Sequence, residues 1–129
     1  MISVDTNIIV RLLTGDDLSQ FKRAKALFEN ETIVIATSVI LECEWVLRYA
    51  YHFKPHEITK AFQSLFGLSN VYLQEPIVIY DAIKWHTQQL DFADAIHLAK
   101  SQDCDLFVTF DKKFIKSASN IPTIPVKEP

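Results

Sequence analysis

Strand-length apolar runs alternate with stretches of helical periodicity along the whole chain. Ile2–Val4 is a short apolar run closed by Asp5-Thr6-Asn7, after which Ile8, Ile9, Leu12 and Leu13 recur at the spacing of one helix face. Thr14-Gly15-Asp16 breaks that pattern. Asp17-Leu18-Ser19-Gln20 reads as a capping-box variant opening a second helix, with Phe21, Ala24, Leu27 and Phe28 on its apolar side. Ile33–Ala36 predicts a buried strand, and Thr37 or Ser38 then caps a helix that is apolar almost all round to about Tyr51. Pro55 suits the first turn of a fourth helix that carries Ile58, Phe62 and Leu65 and ends at Gly67. Val71–Leu73 predicts a third strand, Pro76 starts a helix to about Gln89, and Asp91 caps another to Gln102. Leu106–Phe110 predicts a fourth strand, with a short helix from Lys112. Ile121–Val126 reads as an edge strand, because Pro122 and Pro125 cannot serve a central ladder.

Strands that alternate with helices through connections too long for hairpins predict parallel pairing with right-handed crossovers. The expected fold is therefore α/β: one three-layer α/β/α domain over residues 1–129 around a central parallel sheet of four to five strands. With 129 residues, 49% hydrophobic and 22% charged, the chain is long and apolar enough to bury a core, which excludes a disordered segment. A net charge of −3 argues against a protein coated in basic patches, so any contacts to nucleic acid must be local. Cys43 and Cys104 form no CxxC pair, which predicts buried free thiols in a reducing, cytoplasmic setting. Met1 leads directly into a strand, so no signal peptide is expected, and no apolar run has the length of a membrane span.

Charge placement adds the chemistry. Asp5, Glu42, Asp94 and Asp111 stand in separate segments, each where an apolar strand or helix begins or ends. In an open parallel sheet the carboxyl ends of the strands form the ligand crevice. Asp5 and Asp111 follow strands directly and should project there, as should Glu42 and Asp94 near the amino ends of their helices. Two carboxylates about 4 Å apart at an effective dielectric of about 20 repel by roughly 4 kcal/mol, so crowded acids call for a cation. Mg²⁺ or Mn²⁺ suits an all-oxygen donor set. Each acid also has a structural explanation: Asp5, Asp91 and Asp111 are favoured N-caps, and Asp94 lies where a helix dipole favours negative charge. Glu42 is the exception, lying in the apolar run Val39-Ile40-Leu41-Glu42-Cys43 with no cation four residues on. Glu44 has Arg48 there and reads as an exposed ion pair. The histidines offer no competing site: Pro55 separates His52 from His56, His86 reads as a helix-surface residue, and His97 as a packed one.

The stretches Val4-Asp5-Thr6-Asn7, Ser38-Val39-Ile40-Leu41-Glu42, Asp91-Phe92-Ala93-Asp94-Ala95 and Val108-Thr109-Phe110-Asp111 resemble, in order and spacing, the PIN-domain family. The likeness is greatest to the small toxin ribonucleases of VapBC-type toxin–antitoxin pairs, and it spans essentially the whole chain. It implies a divalent metal, endonucleolytic cleavage of RNA by a metal-activated water, and a cognate antitoxin as partner. By that resemblance Asp5, Asp94 and Asp111 are metal ligands, and Glu42 orients or deprotonates the attacking water. Thr6, Asn7, Asp91 and Thr109 support the carboxylates. Arg11, Lys112, Lys113 and Lys116 are candidate RNA contacts, although lysines on a helix also read as a solvated face. Trp45, Tyr49 and Phe53 recur at helical spacing, which predicts core packing or a homodimer contact rather than base stacking.

Other functions fit less well. A haloacid-dehalogenase phosphatase needs a second acid two residues after the first, where this chain has Asn7, and a response-regulator receiver needs a different distribution of acids over its strands. DNA flap cleavage would require a helical arch that the chain lacks. A catalytically silent PIN-like module that binds RNA or a partner is the main alternative, and metal-dependent cleavage decides between it and the enzyme.

Overall fold

The alternation of strands and helices is present in the computed structural model, which describes residues 1–129. Met1–Pro76 and Ile77–Pro129 form two compact units. In the first, β1 (Ile2–Ser3), β2 (Ile33–Ile35) and β3 (Val71–Leu73) pair in parallel in that order, with Ile2 opposite Ile33 and Ile33 opposite Val71. Ile33 and Ile35 are fully buried, each burial contributing about 1.5–3 kcal/mol. Helices α1 (Thr6–Thr14), α2 (Leu18–Asn30), α3 (Thr37–Tyr49) and α4 (Pro55–Phe66) supply the crossovers. Helix α1 packs on α2 and α3, and α4 packs on α3 and β3.

Local chemistry explains the element ends. Helix α1 stops at Gly15, whose φ of 64° lies in the left-handed region that glycine enters without strain; its N–H donates to the Arg11 carbonyl. Asp17 caps α2 by accepting from the Gln20 N–H at 3.0 Å. The reciprocal half of the expected box is missing, because the Gln20 side chain instead accepts from Arg11 Nε at 2.7 Å. Pro55 opens α4 as expected, with Glu57 accepting from the Lys54 N–H at 2.8 Å. Helix α3 departs from expectation: Ala36 is its cap and Thr37 its first residue, so neither Thr37 nor Ser38 caps it. Instead the Thr37 N–H donates to Gln74 Oε1 at 3.2 Å, and the Thr37 hydroxyl donates to Glu75 Oε1 at 2.7 Å.

The remaining elements are α5 (Pro76–Thr87), α6 (Phe92–Ala99), β4 (Phe107–Val108), α7 (Lys112–Ala118) and β5 (Val126–Lys127). Strands β4 and β5 form a parallel pair, so the five expected strands pair as a set of three and a set of two. Strand β5 is shorter and later than Ile121–Val126, since Pro122 has no N–H to offer a ladder. Pro125 joins through its carbonyl, which accepts from the Phe107 N–H at 2.9 Å. His86 is half-buried rather than on the surface. Its Nδ1 meets the Leu90 carbonyl at 3.0 Å and its ring lies edge-on to Phe92. No helix is long and apolar enough to cross a membrane.

Candidate metal and RNA site

Asp5 and Glu42 belong to the first unit. Asp5 follows β1 at the carboxyl edge of the parallel strands and caps α1, its Oδ1 accepting from the Thr6 N–H at 2.8 Å. Both carboxylates are exposed, and both act on the same neighbour. Burial and the negative charge of Glu42 push the Cys43 thiol up to about 12; a contact with Thr6 pulls it down, and Asp5 raises it further. Cys43 Sγ lies 4.0 Å from the Thr6 carbonyl.

The structure reverses the expected settings of Glu42 and Glu44. Glu42 is exposed, whereas Glu44, expected on the surface, is 1% exposed. Arg48 closes on Glu44 with two bonds, Nε to Oε2 at 2.8 Å and Nη2 to Oε1 at 3.1 Å. Thr6 is buried, but its hydroxyl has no hydrogen-bond partner, and the residue meets Asp5 through its backbone instead. Asn7 is exposed. Arg11 is tied down: its guanidinium bonds Gln20, Asp16 at 3.2 Å and the Tyr51 hydroxyl at 2.9 Å. Glu75 follows β3 as Asp5 follows β1, a placement the order of strand and acid marks in the sequence.

Asp91, Asp94 and Asp111 belong to the second unit. Asp91 caps α6 and accepts from the Asp94 N–H at 3.2 Å. Asp111 caps α7 and accepts from the Phe114 N–H at 3.1 Å, while the Thr109 hydroxyl oxygen accepts from the Asp111 N–H at 3.0 Å. Thr109 thus fixes the backbone of the acid it was expected to support. Asp94 is half-buried, and its carboxyl is held above the ordinary range by burial, then by the charges of Asp91 and Asp111; His97 opposes them. His97 itself is exposed rather than packed. No lysine or arginine pairs with Asp94 or Asp111. Lys112, Lys113 and Lys116 are exposed on α7.

Carboxylate oxygens are the donors in both units, which suits a hard divalent cation, and crowding around Asp94 is relieved by positive charge. The structure shows no group of three or more His, Cys, Asp or Glu side chains that could hold a metal ion. That is compatible with Mg²⁺, which keeps its waters and is commonly held by one or two carboxylates together with substrate phosphates.

Cys104 is exposed, contrary to the expectation of two buried thiols, while Cys43 is fully buried. A thiol at about 12 carries on the order of 10⁻⁵ thiolate at neutral pH. Iodoacetamide should therefore alkylate Cys104 in the folded protein and leave Cys43 intact until denaturant is added. Peptide mass spectrometry reads the result, and labelling of both at equal rates would contradict the environment of Cys43.

A sequence model of the PIN domain matches residues 2–119. No curated protein matches the chain. Among solved structures, it is similar to Mycobacterium tuberculosis VapC20, described as a Sarcin-Ricin loop cleaving toxin. The identity is 19% over 100% of both chains, with a TM-score of 0.46. It is also similar to VapBC2 from Rickettsia felis bound to a DNA fragment from their promoter, at 16% identity over 98% of this chain and 97% of that one, with a TM-score of 0.39. Matched by the family's sequence model from residue 2 to residue 119, the chain belongs to the PIN domain family.

Proposed function

We propose that this chain is a Mg²⁺- or Mn²⁺-dependent endoribonuclease, the cytoplasmic toxin of a type II toxin–antitoxin pair, working as a single PIN-like domain over residues 1–129. Membership of the PIN domain family supports a nuclease. The observation that carries the reading is that Asp94 is half-buried, with burial and then the charges of Asp91 and Asp111 disfavouring its carboxylate, and no lysine or arginine pairs with Asp94 or Asp111. Asp5, Asp94 and Asp111 would hold the ion. When bound, it would polarise the scissile phosphate and acidify a water for in-line attack. Glu42, exposed and free of an ion pair, would orient that water or accept its proton. Asp91 and Thr109 hold the backbone around Asp94 and Asp111. Thr6 and Asn7 are assigned to the support of Asp5.

Lys112, Lys113 and Lys116 would attract the RNA backbone beside Asp111. Arg11 contributes less, because Asp16 already neutralises it. Trp45 and Tyr49, each 56% exposed and 5.2 Å apart between ring centroids, are the proposed contact of a homodimer. The antitoxin would inhibit by setting an arginine against the acids, where a guanidinium fork matches carboxylates.

The test is cleavage of end-labelled RNA with Mg²⁺, Mn²⁺ or EDTA, run on the wild-type and Asp5→Asn proteins. Cleavage is expected with either metal, none in EDTA, and a loss of orders of magnitude in the variant. Intact RNA after incubation of folded wild-type protein with both metals would support the silent module instead.

A further inference from the structure

Phe110 is the most exposed aromatic side chain in the protein, at 79%, and it stands immediately before Asp111. Its neighbours in the same segment turn the other way. Phe107 is half-buried and Phe114 buried, and their rings pack together with centroids 5.3 Å apart. The backbone on either side of Phe110 is fixed: the Thr109 N–H donates to the Lys127 carbonyl at 3.1 Å, and the Asp111 N–H donates to the Thr109 hydroxyl oxygen at 3.0 Å. The ring is therefore held outward on a braced segment, forgoing the burial that an aromatic side chain normally gains.

Lys112, Lys113, Lys116 and Lys127 around this segment are all exposed. Lysine is depleted at the cores of protein interfaces, so a partner built of apolar protein surface fits this setting poorly. Single-stranded nucleic acid fits it well, because cations track the phosphates while a flat aromatic face receives a base. We propose that Phe110 is a stacking platform for an unpaired RNA base beside the scissile phosphate, so that the preferred substrate is single-stranded at that nucleotide. The inference rests on the ribonuclease reading. It adds a residue that binds substrate without entering the chemistry.

Stacking by one aromatic residue corresponds to a change of about 5- to 150-fold in binding. The test compares wild-type, Phe110→Leu and Phe110→Trp proteins on a single-stranded RNA oligonucleotide with Mn²⁺, reading KM and kcat separately. Anisotropy of the same labelled RNA, measured with Mg²⁺ in the Asp5→Asn background, reads binding without turnover. The leucine variant, apolar but lacking a π face, should raise KM and Kd by that factor with kcat nearly unchanged; tryptophan should restore both. Equal values for wild-type and leucine proteins overturn the proposal. So does an equal loss in the leucine and tryptophan variants, or a change confined to sedimentation, which would make Phe110 a protein contact. If the wild-type protein binds RNA with Phe110 dependence but never cuts it, stacking stands and the nuclease reading falls. If it neither binds nor cuts, both fall.

Discussion

Asp94→Asn should abolish metal-dependent RNA cleavage and, at neutral pH without metal, raise the melting temperature. Burial and the charges of Asp91 and Asp111 hold the Asp94 carboxyl above its ordinary value of 3.8. Between that ordinary value and the raised one, the folded state therefore holds a proton that the unfolded chain has released. Stability falls as pH rises from that ordinary value through the raised one, and the full penalty is present above both. Asparagine carries no such charge, so the advantage of the variant should be largest at neutral pH and vanish as pH drops below 3.8. The helix cap survives the change, because Asp91 accepts from the backbone N–H of residue 94 and not from its side chain. Metal reverses the order of the two proteins. A ligand at a hundred times its Kd stabilises the folded state by about 2.7 kcal/mol, a gain expected for the wild type and lost in the variant. Thermal melts at pH 3.5 and 7.5, with EDTA and with Mn²⁺, run beside the cleavage assay, give all four comparisons. A variant that melts lower than wild type in EDTA at pH 7.5 would show that Asp94 is structural and not a crowded ligand.

The local structure around the candidate acids is legible in linear order, because in parallel α/β chains the ends of strands and the starts of helices are marked by where apolar runs stop. Asp5 after β1 and Asp111 after β4 needed only the end of an apolar run to be located, and both do cap the helices that follow. Pro55, Asp17, Asp91 and Gly15 likewise carry their local roles in their covalent chemistry. What the sequence could not resolve is the rotation of a helix that is apolar on most sides. In α3 the i, i+4 rule identified the partner of Glu44 correctly but not which acid faces inward. Glu42, Trp45 and Tyr49 share the exposed stripe, whereas Glu44 points inward with Ile40, Cys43 and Leu47. The apolar residues beside Glu42 in sequence lie on other sides of the helix, so its setting in the chain overstated its burial. Cys104 differs for another reason: it lies outside any helix or strand, between Asp103 and Asp105, charged neighbours that are themselves exposed. Thr37 failed as a cap because Gln74 and Glu75, far along the chain, reach the amino end of α3.

The inward turn of Glu44 carries the largest expected effect on stability. A carboxylate that is 1% exposed is tolerable because Arg48 meets it with two charge-assisted bonds of 2.8 and 3.1 Å. Arg48 also lies over the Tyr49 ring, 4.6 Å from its centroid. Its side chain keeps 29% of its exposure, so water reaches the guanidinium and softens the interaction. Removing one partner of a buried pair strands the other charge, at a cost of about 3–5 kcal/mol. With the partial exposure of Arg48, about 3 kcal/mol is expected for Arg48→Met. For a domain of this size that is on the order of 10 °C in Tm. The double variant Glu44→Leu/Arg48→Met removes both charges while keeping much of the apolar bulk. It should recover most of that loss, since replacing a buried pair by well-packed apolar groups is often neutral or stabilising. Urea denaturation of the wild type, the single variant and the double variant measures the sequence of changes, with equal m-values required for the comparison. If Arg48→Met unfolds within about 0.5 kcal/mol of wild type, as ordinary surface substitutions do, the pair is a surface feature in energetic terms and the buried position of Glu44 is wrong. If the single variant is destabilised and the double variant is worse still, Glu44 has a further partner that its loss exposes. Recovery in the double variant isolates the stranded charge as the cause.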